Sequence, residues 1–80
     1  MKARVIVTLK PDILDPQGKA IEGALRSLGL SGIAAVRQGK VFDIELTGED
    51  RKQAAATVRA AADKLLANNL IEAYDVKLLS

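Results

Sequence analysis

The sequence predicts a two-layer α+β sandwich of element order β-α-β-β-α-β, with an antiparallel sheet and both helices on one of its faces. Three observations predict it. Apolar residues alternate in three short runs, Ala3-Val5-Val7-Leu9, Phe42-Ile44-Leu46 and Tyr74-Val76-Leu78. Between those runs, Ala20 to Leu28 and Ala54 to Leu65 carry apolar residues at helical spacing. Each helical segment follows a strand and leads back to the same sheet, which makes the topology broadly ferredoxin-like.

The first strand spans Lys2 to Lys10. Ala3, Val5, Val7 and Leu9 face the core and Arg4, Thr8 and Lys10 face out, with Ile6 the exception. Pro11 ends it, because proline has no N–H to donate to a ladder. Asp15-Pro16 starts the first helix: Asp15 caps orphan N–H groups and Pro16 suits the first helical position. Ala20, Ile21, Ala24, Leu25 and Leu28 form its apolar stripe, and Gly29 stops it. Gly18 and Gly23 each weaken this helix by about 1 kcal/mol relative to alanine. At Gly23 close packing is one explanation and simple tolerance the other.

Ile33 to Leu46 reads as a hairpin with Gln38-Gly39 at its tip. Its second arm alternates clearly, whereas Ile33-Ala34-Ala35-Val36 is apolar on both faces. Thr47 and Asp50 approximate a capping box for the second helix, whose stripe is Ala54, Val58, Ala61, Ala62 and Leu65. Asn68-Asn69 ends it, and Ile71 to Leu79 is the last strand.

Eighty residues, 1–80, make one domain. A chain this short buries only about 60% of its unfolded surface. Thirteen of its residues are alanine and only Phe42 and Tyr74 are aromatic, so its core is small. A bare sheet face carrying Ile6 and Val41 then points to oligomers formed through sheet contacts. Nothing resembles a signal peptide or a membrane span, which predicts a soluble cytoplasmic protein.

Composition also excludes much chemistry. Without cysteine there is no disulfide, zinc cluster or thiol nucleophile, and without histidine the commonest general base and metal ligand are missing. Ser27, Ser31 and Ser80 therefore lack the usual activating partner. The acidic pairs Asp12/Asp15 and Glu49/Asp50 are accounted for by turn and capping chemistry. Gly29-Leu30-Ser31-Gly32 lacks the lysine and helix of a phosphate loop. No catalytic, cofactor-binding or metal-binding residue is assigned. A net charge of +2 is no polyanion footprint, and Phe42, the one aromatic available for base stacking, points into the core, so nucleic-acid binding is not expected.

One exposed cluster stands out, Arg37-Gln38-Gly39-Lys40. Two cations beside a tight turn fit docking to an acidic protein surface or a phosphate. On physical grounds alone a solvated hairpin end, in which Gly39 supplies a positive φ, is the favoured reading, since exposed tip charges contribute little.

Four segments carry a family resemblance: Leu14-Asp15-Pro16-Gln17-Gly18, Arg37-Gln38-Gly39-Lys40, Leu65-Leu66-Ala67-Asn68-Asn69 and Ile71-Glu72-Ala73-Tyr74. Together with Val5-Ile6-Val7-Thr8-Leu9-Lys10-Pro11 they resemble, in order and spacing, the PurS family, the small subunit of phosphoribosylformylglycinamidine (FGAM) synthase of de novo purine biosynthesis.

The resemblance implies a non-catalytic adaptor within a glutamine-dependent, ATP-consuming carbon–nitrogen ligase. The adaptor would form a homodimer or homotetramer and bridge a large synthetase subunit (PurL type) and a glutaminase subunit (PurQ type), supporting ammonia transfer between them. ATP and magnesium would belong to the synthetase, with no cofactor on this chain. The match to an Arg-x-Gly-Lys motif makes Arg37, Gly39 and Lys40 the expected docking residues, with Asp15 and Pro16 a structural helix start. The alternative is a small-molecule-sensing regulatory domain of similar topology that binds its ligand at a dimer interface.

Overall fold

The computed structural model describes residues 1–79; Ser80, one of the serines considered above, lies outside the described residues. Its elements are β1 (Lys2–Leu9), α1 (Pro16–Ser27), β2 (Gly39–Glu45), α2 (Arg51–Ala61) and β3 (Glu72–Leu78), with a π-helical turn (Ala62–Leu66) closing α2. The class is α+β as predicted, with an antiparallel sheet and two helices. The sheet has three strands in the order β2-β1-β3.

The register follows from alternation. Val5 of the central strand lies opposite Phe42 on one side and Val76 on the other, and Ala3 opposite Ile44 and Leu78. Ala3, Val5 and Val7 are fully buried beneath Val58, Ala62 and Ala67, with Phe42, Ile44, Leu46, Tyr74, Val76 and Leu78 packed around them. The opposite face is open. There Ile6 lies between Val41 and Asp75, and Arg4 Nε donates to Asp43 Oδ1 at 2.8 Å.

Two features depart from the predicted sandwich. The first hairpin arm is absent: residues 30–38 have no regular structure, and β2 pairs with β1 alone. The segment has poor strand chemistry, with two central alanines. Its amides are also committed elsewhere, since Val36 N–H donates to Glu22 Oε2 (3.2 Å) and Gln38 N–H to Asp15 Oδ2 (2.7 Å). Gly39 accordingly opens a strand and is no hairpin tip. Positive φ is confined to Gly29, Gly32 and Gly48 among the described residues. Glycine is needed at 39 because a Cβ there would come within 2.7 Å of the Val7 carbonyl oxygen.

The second departure is α1, which does not share the sheet face with α2. Only α2 packs extensively on a strand. The radius of gyration is 16.1 Å, against about 12 Å for a compact chain of this length, and the longest extent is 49 Å. The helix forms locally as predicted. Asp15 caps it, Pro16 occupies its first position, and its end is a Schellman motif in which Leu30 N–H donates to Leu25 O and Gly29 N–H to Arg26 O, with Gly29 at φ +81°. Its stripe is largely uncovered among the described residues: Leu28 is 74% exposed and Ile21 is exposed, with Leu25 half-buried, and Leu14 just before the helix is exposed too.

α2 carries two smaller corrections. Asp50 is itself the cap, its Oδ1 accepting from Lys52 N–H and Gln53 N–H, so the Thr47–Asp50 capping box does not form. The π turn, closed by Ala67 N–H to Ala62 O at 2.9 Å, inserts a residue into the helical phase. Leu65, predicted in the stripe, is thereby turned out and 82% exposed.

Candidate functional site

The predicted docking residues meet the start of α1 at one end of the sheet. The junction is built on two buried carboxylates, Asp15 (5% exposed) and Glu22 (4%). Asp15, Gly18, Glu22 and Leu25 fall at intervals of three and four, so one helix face presents them together. Asp15 Oδ1 accepts from Gly18 N–H at 2.9 Å, while Oδ2 accepts from Gln38 N–H, twenty-three residues away. One turn on, Glu22 accepts from Val36 N–H and pairs with Arg26 Nη2 (3.4 Å) and Lys19 Nζ (3.8 Å).

Gly18 is the glycine that close packing requires. A Cβ there would overlap the Val36 carbonyl oxygen, whereas at Gly23 it would meet nothing within 4 Å. The cost of a helical glycine at 18 is thus tied to the close approach of the 36–38 segment.

Each predicted docking residue already has a neighbour. Arg37 is exposed, and its Nη2 donates to the Lys10 carbonyl at 2.9 Å. Gly39 presses against Val7 in β1. Lys40 Nζ lies 3.4 Å from Glu72 Oε2 at the start of β3. Arg37 retains further guanidinium N–H donors for an external acceptor. Pro16 lies at the surface and serves the helix start. Sequence reasoning gave Asp15 its cap but missed its second acceptor role, and it missed Glu22 altogether. The available signal was a carboxylate seven residues after Asp15, beside the apolar stripe and on the face that also carries Gly18.

Charge follows the hydrogen bonds. The Asp15 carboxyl is held below its ordinary pKa by the Gln38 and Gly18 amides, with a smaller contribution from the Arg37 charge, against the opposing effect of burial. Glu72 is lowered as well, first by the Asn68 amide and then by Lys40. These carboxylates are engaged as acceptors, the opposite of a carboxyl raised for general acid work.

Val7, Leu9, Asp15, Gln17, Lys40 and Glu72 border a cleft of about 140 Å³ with Gln38 and Gly39. That is well below the roughly 300 Å³ at which small-molecule sites begin. Among the described residues no three His, Cys, Asp or Glu side chains gather as a metal site. Ser27 Oγ donates to the Gly23 carbonyl of its own helix. Among the described residues, no helix is long and apolar enough to cross a membrane. The junction holds backbone in place and presents cations. It assembles no nucleophile with a base.

Comparison with known proteins places these features in a family. The family model for PurS, phosphoribosylformylglycinamidine (FGAM) synthase, matches residues 2–80. The phosphoribosylformylglycinamidine synthase subunit PurS of Mycobacterium leprae is 45% identical over 75 residues, covering 94% of this chain and 91% of the relative. The structure of Bacillus subtilis PurS superposes with a TM-score of 0.87 at 37% identity, covering 99% of this chain and 98% of the other. A chain from the structure of PurLQS from Thermotoga maritima superposes with a TM-score of 0.89 at 31% identity, covering 98% and 95%.

Proposed function

The chain belongs to the PurS family of FGAM synthase subunits, and from that premise we propose that it is the non-catalytic adaptor of the complex, bridging a synthetase subunit of PurL type and a glutaminase subunit of PurQ type. The observation that carries this reading is the uncovered arm. An apolar stripe on a well-capped helix, extended from a body with a radius of gyration of 16.1 Å, is a surface that another chain completes. The similarity to a chain of the Thermotoga maritima PurLQS assembly supports the same partners here.

The contribution of such an adaptor is geometric. Ammonia released into water is diluted and protonated, which removes its nucleophilic lone pair. Holding the glutaminase and synthetase sites in register raises its effective concentration where the carbon–nitrogen bond forms. ATP and magnesium belong to the synthetase. On this chain Asp15, Glu22, Asp50 and Glu72 already accept from N–H donors within the fold, which leaves them poorly placed to ligate a cation. Residues 1–80 act as one cytoplasmic domain, self-associated as a dimer or tetramer, with Arg37, Gly39 and Lys40 forming the docking segment.

Reconstitution tests the reading. Omitting this chain should abolish glutamine-driven synthesis of FGAM while ammonium-driven synthesis by the synthetase persists. Full glutamine-driven activity without the chain would refute it.

A further inference from the structure

α1 lacks an extensive contact with the sheet. Its contacts with the chain leading into β2 are polar and specific. Three observations converge on residues 36–38. Asp15 Oδ2 accepts from Gln38 N–H at 2.7 Å, and Glu22 Oε2 from Val36 N–H at 3.2 Å. Between them, Gly18 leaves room for the Val36 carbonyl where any side chain would collide. Both carboxylates are more than nine-tenths buried, so their hydrogen bonds meet little competition from water. On the far side of the segment Arg37 is tied to the Lys10 carbonyl, and Lys40 to Glu72, which fixes residues 37–40 to the ends of β1 and β3.

We infer that Asp15, seconded by Glu22 across Gly18, is a positioning residue: it latches the 36–38 segment to α1, sets the direction of the arm against the sheet, and so presents the Arg37–Lys40 segment and the α1 stripe to partner chains in one fixed relation. This inference rests on the adaptor reading above and assigns Asp15 a role beyond capping its helix. Asp15 is suited to it because its two oxygens serve different masters. One satisfies the helix end, as any cap does, and the other reaches a segment remote in sequence. A serine at the same place could cap α1 but has neither a second oxygen nor the length to hold Gln38.

The test compares Asp15→Ser and Gly18→Ala, which open the latch from opposite sides, with Asp50→Ser, the same cap exchange at the start of α2. Two readouts are taken on the full chain: amide hydrogen exchange, and affinity for the reconstituted synthetase and glutaminase subunits. A hydrogen bond to a charged acceptor contributes enough that its loss should speed exchange at Gln38 and Val36 by about tenfold or more. The latch predicts that acceleration in both variants, unchanged exchange at Val5 and Val7, and weakened partner affinity, with neither effect in Asp50→Ser. Asp15→Asn, which keeps one acceptor oxygen, should fall between Asp15→Ser and the native chain. Unchanged exchange at Gln38 and Val36 would overturn the latch. Faster exchange there with native partner affinity would overturn its positioning role. Arg37→Glu with Lys40→Glu separates the two readings: native partner affinity in that variant would refute the docking segment, while the exchange data still decide whether the latch exists.

Discussion

The body and the arm of this molecule are held by different forces. In the body, Ala3, Val5, Val7, Val58 and Ala62 are sealed between sheet and helix, and the contacts are apolar. In the arm, the buried residues of α1 are Gly18 and Glu22, with Asp15 at its cap, while Ile21 and Leu28 are exposed and Leu25 is half-buried. Both helices are amphipathic and both are capped by an aspartate, so local sequence chemistry does not distinguish them. The difference is where the matching surface lies. α2 finds it on the sheet of its own chain, and α1 is left with a stripe that another chain can cover. Hydrophobic burial is non-directional and could not aim such an arm, whereas hydrogen bonds between buried carboxylates and backbone amides can.

The largest expected effect comes from attacking the stripe. Ile21→Ser with Leu28→Ser should leave the stability of an isolated protomer within about 0.5 kcal/mol, because both residues are exposed there. If a partner copy buries them, self-association should weaken roughly a hundredfold, at about 1.5 kcal/mol or more for each buried side chain. Sedimentation velocity against concentration measures this, and unchanged association would show that the stripe is not the contact. Next comes the body. Val5→Ala at a fully buried position should cost about 2 kcal/mol in urea unfolding, a large part of the stability of so small a core. A change below about 0.5 kcal/mol would mean that the sheet and α2 do not form the stable unit.

Acid should separate arm from body. Asp15 has a folded pKa below its ordinary value, so its stabilising effect is complete above the unfolded carboxyl value, about 3.9, and is lost as pH falls through the lower folded value. The Gln38 amide resonance should shift in that acid range in the native chain and not in Asp15→Ser. Identical titrations in the two chains would disconnect Asp15 from Gln38. The smallest effect belongs to the exposed Arg4–Asp43 pair on the open sheet face, where a hydrogen bond lowers the Asp43 carboxyl and raises the arginine. Asp43→Asn should leave the urea midpoint essentially unmoved. A clear loss would show that this face is less solvated than the isolated chain implies.

The same contrast explains what could be read from residue order. The three strands were legible because alternation reports a sheet with one covered face, and Ala3-Val5-Val7 show it cleanly. Caps were legible where one residue suffices, as at Asp15-Pro16 and Gly29. The first hairpin arm was not, because Ile33-Ala34-Ala35-Val36 has no period, and the amides of Val36 and nearby Gln38 are claimed by carboxylates distant in sequence. The placement of α1 was not legible either, since periodicity reveals that a helix has an apolar side without revealing which surface covers it. Leu65 was misplaced because a π turn shifts the helical phase without a composition signal. At the junction, the motif singled out Arg37, Gly39 and Lys40 as candidates, and only the fold showed their neighbours Lys10, Val7 and Glu72.

A chain with so open an arm should not persist alone. Sedimentation equilibrium of the purified chain, from low to high micromolar concentration, tests this most directly. We expect a mass of two or four times 8.5 kDa. A protomer that stays monomeric throughout that range would contradict the account.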